Sequence, residues 1–170
     1  HTRSFHVTGV QTCALPISAV LVVEQTLALG EKTVDLSKRN LDSNQVNFLV
    51  AGLELRKLSL AYIRSLNLSY NNLGELPFHF LFQLENLTCL HVNDNRLYSL
   101  HENMKFLVGL QELDLRNNQL KKLNVVRELP KLKKLLVEGN PLTLEEIRSL
   151  IKHVDTTTRN IFVDIAGSVT

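Results

Sequence analysis

An eleven-residue pattern constrains the fold of this chain more than any other feature. Residues 110–120 read LQELDLRNNQL, which has the form LxxLxLxxNxL. Leu113 and Leu115 flank the polar Asp114, and this alternation is typical of a short strand with one buried face. Asn118 follows at the turn, where its amide offers one acceptor and two donors to backbone that would otherwise be buried unpaired. The pattern therefore predicts a strand followed by an asparagine-stabilised turn.

The same pattern recurs along the chain at a nearly constant period. Apolar pairs at 66–68, 90–92, 113–115 and 135–137 predict four strands. The turn asparagines that follow them are spaced by 24, 23 and 22 residues and are Asn71, Asn95, Asn118 and Asn140. Repetition at this period predicts an α/β solenoid of leucine-rich repeats, with a parallel concave sheet and short helical or 3₁₀ segments on the convex side.

The first visible repeat is longer than the others. Its strand is predicted at residues 34–36, 32 residues before the next one, and Arg39 stands where a turn asparagine is expected, so that Asn40 is the alternative. Asp42 offers a helix N-cap. A helical apolar stripe follows it at Val46, Leu49, Val50 and Leu53. We expect one long repeat with an outer helix; the alternative is a compressed or partly deleted repeat with a strand at 58–60.

The end of the chain departs from the repeat. Residues 143–146 form a capping-box sequence, and residues 161–165 read as a final strand. Apolar residues between them follow helical spacing at Leu144, Ile147, Leu150, Ile151 and Val154. Because a solenoid must cover the core of its last repeat, we interpret residues 143–170 as a C-terminal cap.

The beginning of the chain has a different character. Residues 7–17, VTGVQTCALPI, resemble the in-frame translation of a sequencing adapter. We therefore expect residues 1–17 to be a non-native, disordered tail. Residues 18–33 are then the remnant of a truncated preceding segment, residues 34–142 are the repeats, and the chain is expected to be a fragment of a larger protein. Cys89 is the one cysteine outside that tail.

Three turn and cap phrases carry a family resemblance. They are LGELP at 73–77, GNPL at 139–142 and IRSLI at 147–151. With these phrases, residues 34–170 resemble intracellular leucine-rich-repeat proteins of the short-repeat type, the branch that includes phosphatase regulators and axonemal dynein light chains. The resemblance implies a curved scaffold whose concave sheet binds another protein, and it implies no chemistry.

Side chains between the core leucines are expected to face the concave side of the sheet, since side chains alternate along a strand. Their mixed charge suits hydrogen bonding and ion pairing with a complementary protein. The candidate partner-binding residues are Ser65, Asn67, Ser69, Tyr70, Cys89, His91, Asn93, Asp94, Glu112, Asp114, Arg116, Lys134 and Glu138, with Leu136 among them. The alternative is a solvated face without a partner.

Chemistry on this face is weighed and not favoured. Cys89, His91 and Asp114 suggest a nucleophile with a base and an orienting acid, or a metal site. Nothing in the sequence supplies an oxyanion hole, a fourth ligand or a closed pocket. We therefore expect no enzyme activity, no small-molecule substrate, no cofactor and no metal.

Charge also bears on the class of partner. Without Arg3, 18 basic residues stand against 17 acidic ones. A basic stretch occurs from Lys121 to Lys134, but acidic residues lie close by and no aromatic residue is interleaved for base stacking. The expected partner is therefore a protein and not a nucleic acid.

The expected location is cytoplasmic, because the lone Cys89 favours a reducing compartment. An extracellular origin is the alternative, since the native N-terminus is expected to be missing and two glycosylation sequons begin at Asn67 and Asn86. The run from Pro16 to Leu29 is interrupted by Glu24 and is too short to cross a membrane.

Overall fold

Six short parallel strands form one open sheet. The computed structural model describes residues 17–156 and 161–165. Neighbouring strands follow one another across the sheet in chain order. The strands are β1 Thr33–Asp35, β2 Ser65–Asn67, β3 Cys89–His91, β4 Glu112–Asp114, β5 Lys134–Leu136 and β6 Phe162–Asp164. The predicted parallel sheet is confirmed, and the first five strands begin one residue earlier than the apolar pairs indicated.

The register of the sheet aligns one apolar residue from each repeat. The central residues of β1 to β5 stand side by side and are fully buried, namely Val34, Leu66, Leu90, Leu113 and Leu135. Leucines of the following turns pack beneath them in the same core, as Leu68 and Leu115 do. The leucine pattern thus becomes a continuous apolar layer behind the sheet, and burial of that layer is the main stabilisation of the fold.

Helical segments form the convex side. The α-helices are α1 Ile17–Ala28, α2 Ser43–Leu55, α3 Phe78–Phe82 and α4 Leu144–Thr156, and the 3₁₀ helices are Leu60–Tyr62, Glu102–Phe106 and Asn124–Glu128. The three regular repeats therefore carry a single helical turn each, as expected. Within the part of the chain that the structure describes, none of the helices has the length and apolar character needed to cross a bilayer.

The long first repeat is a single unit. Strand β1 pairs directly with β2, and Leu60–Tyr62 is a 3₁₀ helix, so no strand forms at 58–60. Helix α2 fills the extra length. Asp42 caps it by accepting a hydrogen bond from the Gln45 N–H, while the Gln45 side chain accepts from the Asp42 N–H. The buried face of α2 consists of the four residues of the predicted stripe, Val46, Leu49, Val50 and Leu53.

Four buried asparagines connect successive turns into a ladder. Asn118 shows the pattern: its Nδ2 donates to the Val92 and Leu115 carbonyls, each at 3.0 Å. Its Oδ1 accepts from the Leu97 N–H at 2.9 Å, so one amide joins its own turn to the preceding repeat. The amides of Asn71, Asn95 and Asn140 bridge neighbouring turns in the same way.

The ladder starts at the second turn. Asn71 Oδ1 accepts from the N–H groups of Arg39 and Leu41, at 3.0 and 2.9 Å. Asn40 does not replace the missing amide, because its side chain is exposed and pairs with the Asn72 amide. The buried amide that bridges the first turn therefore comes from the next repeat.

Helix α4 and strand β6 cover the last repeat. The Thr143 hydroxyl accepts from the Glu146 N–H at 3.2 Å, which is one half of the predicted capping box. The Glu146 carboxylate instead accepts from the Leu123 N–H at 2.9 Å and from Arg127 at 3.0 Å. The predicted apolar stripe is also too wide: Ile147 is buried, as is Leu150, whereas Leu144 and Ile151 are exposed.

Candidate functional site

The concave face presents two rows of side chains. The register places Ser65, Cys89, Glu112 and Lys134 in one row, and Asn67, His91, Asp114 and Leu136 in the next. The residues two positions after the end of each strand extend this face, namely Ser69, Asn93, Arg116 and Glu138. These positions alternate with the buried leucines, as expected from the period of a strand.

Glu112 lies at the centre of one group of contacts. Its Oε1 is 2.7 Å from Lys134 Nζ and 3.5 Å from His91 Nε2. The hydrogen bond from Lys134 lowers the pKa of Glu112, and the same contact raises the pKa of Lys134. Cys89 Sγ lies 3.2 Å from His91 Nε2. Burial raises the pKa of the Cys89 thiol, which disfavours the reactive thiolate at neutral pH.

Asp114 belongs to a separate pair. Only 3% of Asp114 is exposed, and Arg116 donates to both of its carboxylate oxygens, from Nε at 3.0 Å and from an Nη at 2.7 Å. The Arg116 N–H donates to the same carboxylate at 3.1 Å. In the grouping of Cys89, His91 and Asp114, the carboxylate is therefore already engaged by Arg116. Strand register places Asp114 beside His91, but its side chain turns along its own strand, and Glu112 contacts His91 instead.

Two other candidate positions offer little surface to a partner. Ser69 is 5% exposed and donates to Asn93 Oδ1 at 2.5 Å, and Leu136 is 8% exposed. The accessible residues of the face are half-buried ones such as Asn67, His91 and Lys134. Ser69 and Asp114 thus orient the side chains of Asn93 and Arg116 by hydrogen bonds.

The turns after the strands add a polar rim. Asp94 accepts from the Asn93 amide at 2.7 Å and from the Asn117 amide at 2.9 Å. Tyr70 is exposed, and the Lys38 ammonium lies 5.3 Å from the centre of its ring. Sequence reasoning selected Tyr70, Asn93 and Asp94 but missed Lys38 and Asn117. Counting three residues on from the end of each strand would have found both.

The rim residues share a left-handed backbone. Lys38, Tyr70, Asp94 and Asn117 have φ values of 53° to 57°, and Gly139 takes the equivalent position with φ 70°. A Cβ at Gly139 would stand 2.3 Å from Asn117 Oδ1. A side chain at residue 139 would therefore displace the Asn117 side chain, in addition to adopting a φ that glycine favours. The rim position therefore has the same left-handed backbone conformation in each repeat.

Among the described residues, one group of side chains has the composition of a metal-binding cluster. The potential ligand atoms of Cys89, His91 and Glu112 all lie within 4.8 Å of one another.

Two residues of the basic stretch from Lys121 to Lys134 already form ion pairs. Lys134 contacts Glu112, and Arg127 contacts Glu146.

Comparison with known proteins supports the interpretation of the repeats. Two family models, both described as leucine-rich repeat, match residues 62–84 and 85–142. Leucine-rich repeat-containing protein 23 of Xenopus tropicalis is 44% identical over 66 residues, which is 37% of this chain and 19% of that protein. Adenylate cyclase of Neurospora crassa is 36% identical over 85 residues, which is 49% of this chain and 4% of the enzyme. The chain thus spans a fifth or less of these relatives.

Solved structures show the same fold. A leucine-rich-repeat protein of Leptospira interrogans is 30% identical with a TM-score of 0.56, covering 66% of this chain and 27% of its own. Internalin C2 of Listeria monocytogenes has a TM-score of 0.60 at 19% identity, covering 80% of this chain and 52% of its own. The matched repeats, the parallel sheet and the asparagine ladder together identify the chain as a leucine-rich-repeat protein.

Proposed function

We propose that this chain is a non-enzymatic module that binds another protein on its concave sheet. Leucine-rich-repeat domains generally mediate protein–protein interaction. The observation that carries the proposal is the strip of half-buried residues of mixed charge, in which Glu112, Lys134 and His91 are held in fixed positions by strands. A rigid polar strip loses little side-chain entropy on binding and selects partners by charge complementarity.

A charge swap tests the proposal without removing an ion pair. In Glu112→Lys/Lys134→Glu the pair is retained with reversed polarity, so the fold is kept while the concave face presents inverted charges. The matched control is Glu24→Arg/Arg56→Glu, which inverts the exposed pair between α1 and the end of α2. Asp114 is left unchanged because it is buried.

Quantitative affinity capture compares the three chains as baits. We expect at least one protein to be retained by the original chain and by the control swap, and to be lost with the concave swap. Equal retention of every captured protein by all three baits would contradict the proposal. Circular dichroism spectra must agree among the three chains before the capture is interpreted.

A second candidate function is a spacer or regulatory arm within a longer protein. It is favoured by the small share of the relatives that the repeats occupy, 4% in the adenylate cyclase and 5% in leucine-rich repeat serine/threonine-protein kinase 1 of Caenorhabditis elegans. We propose that this chain too is part of a longer protein. An arm of this kind predicts that no captured protein depends on the concave charges.

We further propose a cytoplasmic location. Cys89 is a free thiol on the candidate binding face, and a reducing compartment preserves that state. Expression with a tag in a eukaryotic cell tests this. We expect the protein in the cytosolic fraction, with a mass that glycosidase treatment does not change. A glycan on Asn67 or Asn86 would contradict the proposed location.

A further inference from the structure

A cluster on the concave face combines three kinds of metal ligand. Cys89 and His91 are two positions apart on β3 and so project from the same side of the sheet, and Glu112 lies on the neighbouring strand β4. Two of the three side chains therefore derive their relative position from one strand, and the third from the register of the sheet. Such a site needs no mobile loop.

Two of the three distances between ligand atoms in the cluster are close to those of a tetrahedral zinc site. Typical zinc bonds of about 2.3 Å to sulfur and about 2.0–2.2 Å to nitrogen and oxygen place ligand atoms about 3.4–3.6 Å apart at tetrahedral angles. Cys89 Sγ and His91 Nε2 are 3.2 Å apart, and His91 Nε2 and Glu112 Oε1 are 3.5 Å apart. An ion can therefore enter with adjustments of a few tenths of an ångström along these two edges.

The donor set selects the class of metal. A thiolate, an imidazole and a carboxylate together suit zinc and similar borderline-soft cations, whereas magnesium and calcium prefer oxygen ligands alone. Three protein ligands leave the fourth tetrahedral position open. All three residues are half-buried, so that position is reached from solvent or by a partner's side chain.

Lys134 competes for the same carboxylate. Its Nζ lies 2.7 Å from Glu112 Oε1, the oxygen that also faces His91. A divalent cation must displace this ammonium and is repelled by it. Lys134 should therefore weaken metal binding. Removing Lys134 should raise the metal affinity, whereas removing a ligand residue should lower it.

We propose that Cys89, His91 and Glu112 form a zinc-type site with an open fourth position on the concave face. Binding releases the thiol proton to solvent and forms a sulfur–metal bond, with no change of oxidation state. This inference goes beyond partner binding and is tested with the purified chain alone, so its outcome does not depend on any protein partner.

Cobalt titration is the test, because Co²⁺ reports both a thiolate ligand and tetrahedral geometry by absorption. The full chain carries Cys13→Ser, which removes the one other cysteine. We expect one equivalent of Co²⁺ to produce a thiolate-to-metal charge-transfer band, and Zn²⁺ to abolish it by replacement. No such band, or a band that persists in Cys89→Ser, would overturn the proposal.

Three further variants in the same background identify the other ligands and the competitor. His91→Gln and Glu112→Gln should each weaken Co²⁺ binding by about tenfold or more. Glu138→Gln is the matched control, since it removes a concave carboxylate outside the cluster and should leave the affinity unchanged. Lys134→Gln should tighten binding several-fold. Unchanged or weaker binding in Lys134→Gln would contradict the placement of the ion on Glu112.

Discussion

At the scale of single residues, the buried amide of Asn118 links two successive repeats. It pairs with backbone groups of two repeats, at 2.9–3.0 Å. Asn118→Ala leaves those groups buried and unpaired, so we expect a loss of about 1–3 kcal/mol in the free energy of unfolding. Chemical denaturation measures it.

Gln119→Ala is the matched control for that substitution. Gln119 is the adjacent residue in the same turn, and its side chain is exposed. Its replacement should change stability by less than about 0.5 kcal/mol. Equal losses in the two variants would mean that the amide ladder does not support the turn.

The thiol of Cys89 provides a second prediction at this scale. Burial raises its pKa, and the thiolate is the reactive form. In the Cys13→Ser chain freed of metal, Cys89 should react with a thiol reagent more slowly at neutral pH than free cysteine does. Its rate should keep rising with pH beyond the point at which the rate of free cysteine levels off.

Rate measurement across pH decides that prediction. Faster reaction at neutral pH than free cysteine shows would contradict the raised pKa and would reopen a catalytic interpretation. A normal rate profile in the unfolded chain is the control, because unfolding removes the burial that shifts the pKa.

Sequence reasoning located residues well but not the directions of their side chains. Strand periodicity sufficed to place Glu112, Asp114 and Lys134 on one face. It could not reveal that Asp114 folds back onto Arg116, because that choice depends on a rotamer and on hydrogen bonds that the spacing does not encode. The contact between Glu112 and His91 was missed for the same reason.

At the scale of elements, the start of helix α2 is fixed by a reciprocal cap. Asp42 Oδ1 accepts from the Gln45 N–H at 2.8 Å, and Gln45 Oε1 accepts from the Asp42 N–H at 2.8 Å. Asp42→Ala should therefore cost about 0.5–2 kcal/mol of stability. Thermal or chemical denaturation measures the loss.

Asn47→Ala is the control on the same helix, since Asn47 is exposed in its interior. Alanine has the higher helix propensity, so this variant should be neutral or slightly stabilising. Similar destabilisation by the two substitutions would argue that α2 responds to any alanine rather than to loss of its cap.

Contact between α1 and α2 gives a second prediction at this scale. A Cβ at Gly52 would lie 2.9 Å from a methyl carbon of the buried Val20. Gly52→Ala, which would stabilise an isolated helix by about 1 kcal/mol, should instead destabilise the chain, because valine is stiff and cannot move aside.

A double-mutant cycle isolates this contact. In a Val20→Ala chain the clash is absent, so Gly52→Ala should then be neutral or stabilising. Identical effects of Gly52→Ala in both backgrounds would show that α1 does not pack on α2 in solution.

The elements themselves were largely predictable. The leucine and asparagine period gave the five repeat strands and the order of the sheet, and Asp42 with the apolar stripe after it gave α2. The cap helix was predicted less well, because the Glu146 carboxylate is used by Leu123 and Arg127 of the neighbouring repeat. Tertiary partners of that kind cannot be identified from a local sequence pattern.

At the scale of the whole molecule, two surfaces differ in chemistry. The concave sheet is polar and mixed in charge, whereas the exposed aromatic rings of the convex side include a group formed by Phe78, Phe82 and Phe106. The ring centres of Phe78 and Phe82 are 5.3 Å apart, and those of Phe82 and Phe106 are 5.9 Å apart. Phe78 and Phe82 lie on α3, whereas Phe106 belongs to the next repeat. The pattern within one repeat did not predict this cluster, since it joins two repeats.

The architecture of the whole molecule followed from repetition, because each repeat presents the same apolar residues to its neighbours. The identity of the partner cannot follow from that pattern, since the concave side chains vary without affecting the core.

The tail was predicted at residues 1–17. Residues 1–16 of it lie outside the described residues, and Ile17 is the first residue of α1.

Covalent footprinting of the complex between the purified chain and a captured partner is the most direct test of concave-face binding. Protection is predicted at His91, Glu112 and Lys134, with Phe78, Phe82 and Phe106 labelled as strongly as in the free chain. Protection of the aromatic cluster with an unprotected concave sheet would contradict the account.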